Sequence, residues 1–326
     1  MAEPTRSSPP ALRPRAPGDE RPRLIAVDWG TTSLRGVLID AQGHVAARRA
    51  LPQGITQVEG DFAAAFTRIF GDWLALSPDL CLLSGMIGSR QGWQEAPYCP
   101  CPAGFEALSR HLVWLPPVSD VPLAIVPGVC LVSPDGVDPV DRVPDVMRGE
   151  EIQVMGALRH MPQQDGLLVL PGTHSKWVTV QAGAITRFQT CMTGELYAVL
   201  SQHTILGRTT DTEAPLDETA FLHGVRRGLQ APALSQLLFG VRTLSLFDAL
   251  TPAASASYLS GLLIGQELRD QCPTAGQAIT LIGNEALVLR YRLALSQIAC
   301  TAVTFGDEAT WSGHQALYAY LLESRP

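Results

Sequence analysis

The stretch Leu24-Ile25-Ala26-Val27-Asp28-Trp29-Gly30-Thr31-Thr32-Ser33-Leu34-Arg35-Gly36-Val37-Leu38-Ile39 reads as an apolar strand, a Gly-Thr-x-Ser turn and a second strand. A second stretch repeats the order: Leu167-Leu168-Val169-Leu170-Pro171-Gly172-Thr173-His174-Ser175-Lys176-Trp177-Val178-Thr179-Val180. A basic residue stands just past each turn, Arg35 in one and Lys176 in the other. Each stretch then turns at glycine, through Ala41-Gln42-Gly43 or Gln181-Ala182-Gly183, into a third short strand, which predicts two β-meanders. Glycine lets a backbone approach a polyphosphate closely, while turn hydroxyls and N–H groups donate to its oxygens. Two facing hairpins of this kind would hold a nucleoside triphosphate between them. Lys176 is also the only lysine of the chain.

The chain has 326 residues, enough for two domains with a core each. Its 46% hydrophobic and 17% charged content is that of an ordinary globular protein. A net charge of −7 argues against nucleic acid as the main partner. No apolar run approaches the roughly 20 residues a membrane span needs, so no membrane partner is expected. Seven cysteines, an odd number, suggest reduced thiols and a cytoplasmic location. Cys99-Pro100-Cys101 has no second pair at zinc-ligand spacing and reads as a loop.

Residues 1–23, rich in Pro, Arg and Ser, are expected to form a disordered tail. Residues 24–165 make a first domain and 166–326 a second, with a closing helix at about 309–323 free to pack back on the first. Helical spacing covers 62–76, 147–159, 217–240 and 253–270, and a helix capped by Thr193 should carry Leu196, Val199, Leu200 and His203 inward. Apolar strands are read at 79–86 and 278–282. Meander, helices and strands recur in the same order twice, the mark of an internal duplication. An α/β protein with a cleft between two similar halves follows.

The paired turns, with a later strand-Gly-Asn-helix, resemble the sugar kinase, Hsp70 and actin superfamily. Asp28-Trp29-Gly30-Thr31-Thr32-Ser33, Ser84-Gly85-Met86-Ile87-Gly88-Ser89, Met147-Arg148-Gly149-Glu150-Glu151 and Leu170-Pro171-Gly172-Thr173-His174-Ser175-Lys176-Trp177 together resemble the 2-dehydro-3-deoxygalactonokinase family. The resemblance runs from about Leu24 to the closing helix. It implies a duplicated actin-like, ribonuclease H-like fold with ATP in the cleft. It also implies phosphorylation of the C6 hydroxyl of 2-dehydro-3-deoxy-D-galactonate.

Asp28 ends a strand beside the first turn, where a carboxylate can hold Mg²⁺ against a triphosphate. The second copy has Leu170 at that offset, so only the first half offers this metal ligand. Gly30, Thr31, Thr32 and Ser33 would grip phosphate, as would Gly172, Thr173, His174 and Ser175. Lys176 would follow the transferring group, and strand alternation puts His174 and Lys176 on one face, Ser175 and Trp177 on the other. Phosphoryl transfer to an alcohol also needs a base. The adjacent Glu150 and Glu151 are the candidates; Glu150 is placed first, while Glu151 shares a face with Met155 and Leu158. A bland alternative is a pair of acids favoured by a helix N-terminus. Arg90 would read the carboxylate of a sugar acid, with Ser89, Trp93 and Tyr98 around it. By resemblance, Gly283 and Asn284 form the adenosine turn.

Rival readings are an exopolyphosphatase-like phosphohydrolase, a kinase of a related sugar acid, and a nucleotide-binding sensor without turnover. One lysine and net −7 speak against a polymer channel, and the acid pair against a silent sensor. Sugar epimer specificity and homo-oligomer formation are left open by the residues.

Overall fold

In a computed structural model the described residues are 10, 15, 16, 18–132, 138, 140, 143–162, 164–230 and 233–324. They divide into two α/β units: 1–165 with 180–187 and 308–326, and 166–179 with 188–307.

The first unit opens with the meander β1 (Leu24–Trp29), β2 (Leu34–Ile39) and β3 (Val45–Leu51), antiparallel throughout. Helix α1 (Phe62–Leu74), capped by Asp61, crosses back to β4 (Leu80–Ser84), which pairs parallel to β1. A short strand β5 (Cys99–Pro100) and helix α2 (Phe105–Arg110) precede β6 (Val113–Val118) and β7 (Val121–Ile125). The sheet order is β3-β2-β1-β4-β7-β6. Strands β8 (Val129–Leu131) and β9 (Asp145–Met147) make a small sheet with β5, then α3 (Glu150–Leu158) begins.

The second unit's sheet is built from β10 (Gly166–Leu170), β11 (Ser175–Gln181) and β12 (Ala184–Cys191). Helices α4 (Thr193–His203), α5 (Glu218–Leu229), α6 (Leu234–Leu246) and α7 (Pro252–Gln271) follow. Then come β13 (Ala278–Ile282), α8 (Glu285–Ser296) and β14 (Thr301–Phe305). Its order, β12-β11-β10-β13-β14, repeats that of β3-β2-β1-β4-β7. The closing helix α9 (Glu308–Glu323) groups with the first unit and packs on α3 and β1.

Each unit joins one helix pair through glycine. A Cβ at Gly156 would stand 1.8 Å from the Ala309 carbonyl, and one at Gly313 would stand 2.0 Å from that of Ile152, so α3 and α9 touch backbone to backbone. Gly224 and Gly228 of α5 meet Gly261 and Gly265 of α7 likewise: added Cβ atoms would lie 2.0–2.3 Å from facing carbonyls.

Several local expectations need correction. The helical pattern 217–240 is two helices, because Gln230 leaves helical geometry (ψ 144°) and Pro232 follows. Residues 147–149 belong to a strand and turn, and the helix starts at Glu150. In α4, Leu196, Val199 and His203 face outward, while Tyr197, Leu200 and Ser201 face the core. Met192, not Thr193, occupies the cap position. Of the expected tail, 1–9, 11–14 and 17 lie outside the described residues, while Arg15 pairs with buried Asp79 at 2.5 Å.

Candidate active site

Asp28 lies near the end of β1, a strand whose apolar residues Leu24 to Val27 are fully buried. Its neighbour across β2 is Arg35, whose Nη2 donates to Asp28 Oδ2 at 2.8 Å. On its other side Ser84 ends β4, and the chain turns at Gly85 with φ +87°. A Cβ at Gly85 would sit 2.9 Å from Asp28 Oδ1, so only glycine fits both the turn and the space. Gly149, at φ +105°, seats a second turn in the same place. A Cβ there would lie 3.4 Å from Gly85 Cα and 4.0 Å from Asp28 Oδ1. The backbone just before the acid pair therefore rests against Asp28.

Both acids fold back on that turn. Glu150 Oε2 accepts from the Arg148 N–H at 3.0 Å, and Glu151 Oε2 from the Gly149 N–H at 2.6 Å. Glu150 is half-buried, whereas Glu151 is fully buried and its Oε1 has no hydrogen-bond partner among the described residues. Burial first, then the neighbouring Glu150 charge, push the Glu151 carboxyl up to about 8. From α9, His314 is also fully buried, and its Nδ1 donates to the Thr310 carbonyl at 2.9 Å. That bond leaves Nε2 as a bare acceptor with no partner among the described residues. Burial pulls His314 down to about 4, against the hydrogen bond to Thr310 and, less, the Asp28 charge.

No trio of His, Cys, Asp or Glu among the described residues could hold a metal ion alone. Mg²⁺ asks for less, being commonly bound by one or two carboxylates plus water and substrate phosphates. The Oδ1 of Asp28, walled by two glycines that leave it uncrowded, fits that single-ligand role.

The two glycine-hydroxyl turns differ. In the first, Gly30 N–H donates to the Ser33 carbonyl at 2.8 Å, and Thr56 straps the turn by donating its hydroxyl to the Thr31 carbonyl at 2.8 Å. Thr31, Thr32 and Ser33 are all exposed. In the second, Thr173 and His174 are exposed, with His174 Nε2 paired to Glu195. Ser175 turns inward and donates to Glu267 at 2.8 Å. Trp177 Nε1 donates to the same carboxylate at 2.6 Å, with Thr193 and Tyr291 hydroxyls completing its shell. Lys176 occupies the opposite face, only 5% exposed, its Nζ donating to Thr190 Oγ1 at 2.8 Å. It is no solvent lysine.

Next to the second turn lies a cavity of ≈ 230 Å³ bordered by Gly172, Gly194, Tyr197, Leu287, Arg290 and Tyr291. Asn284 caps α8 by accepting the Leu287 N–H at 3.0 Å, and the Gly283 N–H donates to the Phe305 carbonyl at 3.1 Å. Around the loop after β4, Arg90 is 82% exposed and pairs with Glu95 at 3.0 Å. Trp93 stacks on Phe62 within the core, and the Ser89 hydroxyl is buried without a partner among the described residues. Tyr98 carries the Arg148 guanidinium 4.4 Å above its ring.

Glu267, His314, Tyr197 and Arg290 were not singled out from the sequence, because each stands on an expected helix whose spacing does not say what its side chain meets. Arg148 was inside a quoted motif, and its signal was an arginine directly before the Gly-Glu-Glu turn.

Two α/β units of one strand order, with a glycine-hydroxyl turn on each meander, suit a phosphotransferase, and similarity to known proteins gives the class, a kinase. The model of the 2-keto-3-deoxy-galactonokinase family matches residues 28–317, and the chain belongs to that family. It is 35% identical over 300 residues to the 2-dehydro-3-deoxygalactonokinase of Escherichia coli (strain K12), covering 90% of this chain and 97% of that one. A Rhizobium meliloti (strain 1021) protein named "Probable 2-dehydro-3-deoxygalactonokinase DgoK1" is 37% identical, with 89% and 95% covered. A crystal structure of a Sinorhizobium meliloti protein given the same activity name superposes with a TM-score of 0.81 at 34% identity, covering 93% of this chain and all of that one.

Proposed function

We propose that this kinase transfers the γ-phosphoryl group of ATP to the C6 hydroxyl of 2-dehydro-3-deoxy-D-galactonate, on a duplicated actin-like fold, in the cytoplasm. The observation that carries the reading is the seating of the Gly149 turn, with its two acids, against Asp28. A kinase must bring a charge-neutralising metal and a proton acceptor to one reacting centre. Mg²⁺, when bound, supplies that neutralisation, and Asp28 Oδ1 is the oxygen that would hold it. Glu150 is the base: its side chain is half-buried, whereas Glu151 is enclosed and its carboxyl is pushed up to about 8 by that burial. The C6–O–H proton passes to the Glu150 carboxylate as the oxygen attacks phosphorus and ADP leaves. Glu151 acts through backbone, fixing Gly149 and so the position of Glu150.

The exposed Thr31, Thr32 and Ser33 hydroxyls grip phosphate, as do the Gly172 and Thr173 backbone groups. Ser175 does not, since its hydroxyl is spent on Glu267. The cavity beside Gly172, with Tyr197 and Arg290 on its walls, suits the adenosine, and Gly283 borders Pro171 of the same turn. The related proteins bear kinase names, which leaves the phosphohydrolase and sensor readings without support.

The test is ADP release measured against a panel of sugar acids and neutral sugars. ADP formed in step with phosphorylated 2-dehydro-3-deoxy-D-galactonate is expected. ADP release unaffected by any sugar acid would refute the reading.

A further inference from the structure

Arg148 carries a guanidinium whose hydrogen-bonding capacity is mostly unanswered among the described residues, although its charge is felt by Glu151. Its guanidinium carbon stands 4.4 Å from the centre of the Tyr98 ring, and its Nη2 donates to the Ala96 carbonyl at 2.7 Å. Its Nε and Nη1 are buried, carry three N–H groups between them and have no hydrogen-bond partner among the described residues. No carboxylate forms an ion pair with it among those residues either; Glu151, the nearby acid, spends one oxygen on Gly149 and leaves the other bare. Burying a guanidinium without satisfying it is costly, so a fold that does so keeps it for an anion that arrives later. The loop beside it agrees. A Cβ at Gly88 would stand 2.8 Å from Arg148 Nη1, so a glycine is required for the approach, and the next residue is Ser89, whose buried hydroxyl also lacks a partner.

We infer that Arg148, with Ser89 beside it and Tyr98 under it, is the receptor for the carboxylate of the sugar-acid substrate. This replaces Arg90, whose exposed side chain is already engaged by Glu95. The assignment rests on the kinase reading above. It adds a geometric economy: Arg148 and Glu150 stand two residues apart on one turn. The group that recognises the acid end and the group that deprotonates the alcohol end are thus fixed by the same backbone. Arginine suits the first task, because its planar fork meets a carboxylate in two parallel bonds and its face stacks on an aromatic ring.

The experiment compares 2-dehydro-3-deoxy-D-galactonate with its C1 amide, a neutral substrate of the same length, in wild type, Arg148→Lys, Arg148→Met and Arg90→Ala. Wild-type turnover of the acid tests the kinase reading by itself. Given that turnover, Arg148→Met is expected to raise KM for the acid by about 10²-fold, with KM for ATP within about 3-fold, and to abolish the preference for acid over amide. Arg148→Lys, which keeps the charge, should regain part of the preference, and Arg90→Ala should keep all of it. Should Arg148→Met not fold, Arg148→Lys carries the test: an acid-to-amide preference within about 2-fold of wild type in that variant overturns the proposal. A preference lost in Arg90→Ala overturns it as well.

Discussion

Among the described residues each unit buries one glutamate on a helix, and the two are treated in opposite ways. Glu267 of α7 is wrapped by four side-chain donors, from Ser175, Trp177, Thr193 and Tyr291, which tie α7, β11, α4 and α8 together. Glu151 of α3 takes backbone N–H groups only, with no side-chain donor among the described residues, and keeps one oxygen bare next to a second acid. Burial raises both carboxyls, but at Glu267 the four hydrogen bonds oppose the rise, whereas at Glu151 the Glu150 charge adds to it. A buried acid with every lone pair answered holds a fold together. One left half-answered, on the turn that approaches Asp28, is the kind of group the proposed chemistry would use. The same contrast separates the two turns: the first shows its hydroxyls, while the second sends its serine to Glu267.

The contrast is broken most severely at Asp28. Asp28→Asn should lower kcat by about 10³-fold, the several kcal/mol that metal neutralisation contributes, with the unfolding midpoint little changed. Steady-state kinetics over a Mg²⁺ titration checks this, and wild-type turnover at ordinary Mg²⁺ would remove Asp28 from the chemistry.

Glu267→Gln should do the reverse. Turning an acceptor hub into a group that also donates strands at least one buried hydroxyl, at about 3 kcal/mol. Urea unfolding should show that loss, while kcat per folded molecule stays within about 3-fold. A stable but inactive Glu267→Gln would erase the distinction between the two acids.

A smaller effect sharpens the electrostatics around Asp28. His314 titrates near 4 when folded and near 6.5 when unfolded, so between those values the unfolded chain binds more protons. Stability is then lost as pH falls from about 6.5 toward 4, by up to about 3 kcal/mol from this group. His314→Gln should flatten that limb relative to wild type in unfolding titrations at pH 7 and 4.5. An unchanged slope would mean that His314 is not held neutral.

Much of the first site was legible because its parts are local. Asp28 follows four apolar strand residues, and the Gly-Glu-Glu turn announces itself in five residues. That the two would meet was not readable; it depends on Gly85 and Gly149 both adopting positive φ against one carboxylate. The alternation of β11 was read correctly, with Ser175 and Trp177 on one face and Lys176 on the other. What each face would meet was not, because Glu267 lies some ninety residues on. The α4 stripe held at Leu200 but not at Leu196, Val199 and His203, for another reason. Apolar residues lie on both of its faces, so spacing alone could not choose between Leu196 with Val199 and Tyr197 with Leu200. Arg90 drew the substrate role by standing in a glycine-rich loop, whereas the buried, unpartnered Nε and Nη1 of Arg148 could be seen only among its folded neighbours.

In the proposed reaction, proton transfer belongs to the first unit's acid turn, through Glu150. The most direct measurement is kcat of Glu150→Gln at saturating ATP and 2-dehydro-3-deoxy-D-galactonate, beside Glu151→Gln and with unfolding midpoints recorded for both. Glu150→Gln is expected to lose about 10²–10⁴-fold in kcat with KM for ATP within about 3-fold and its fold intact, and Glu151→Gln to lose less. A Glu150→Gln enzyme turning over within about 3-fold of wild type would contradict the account.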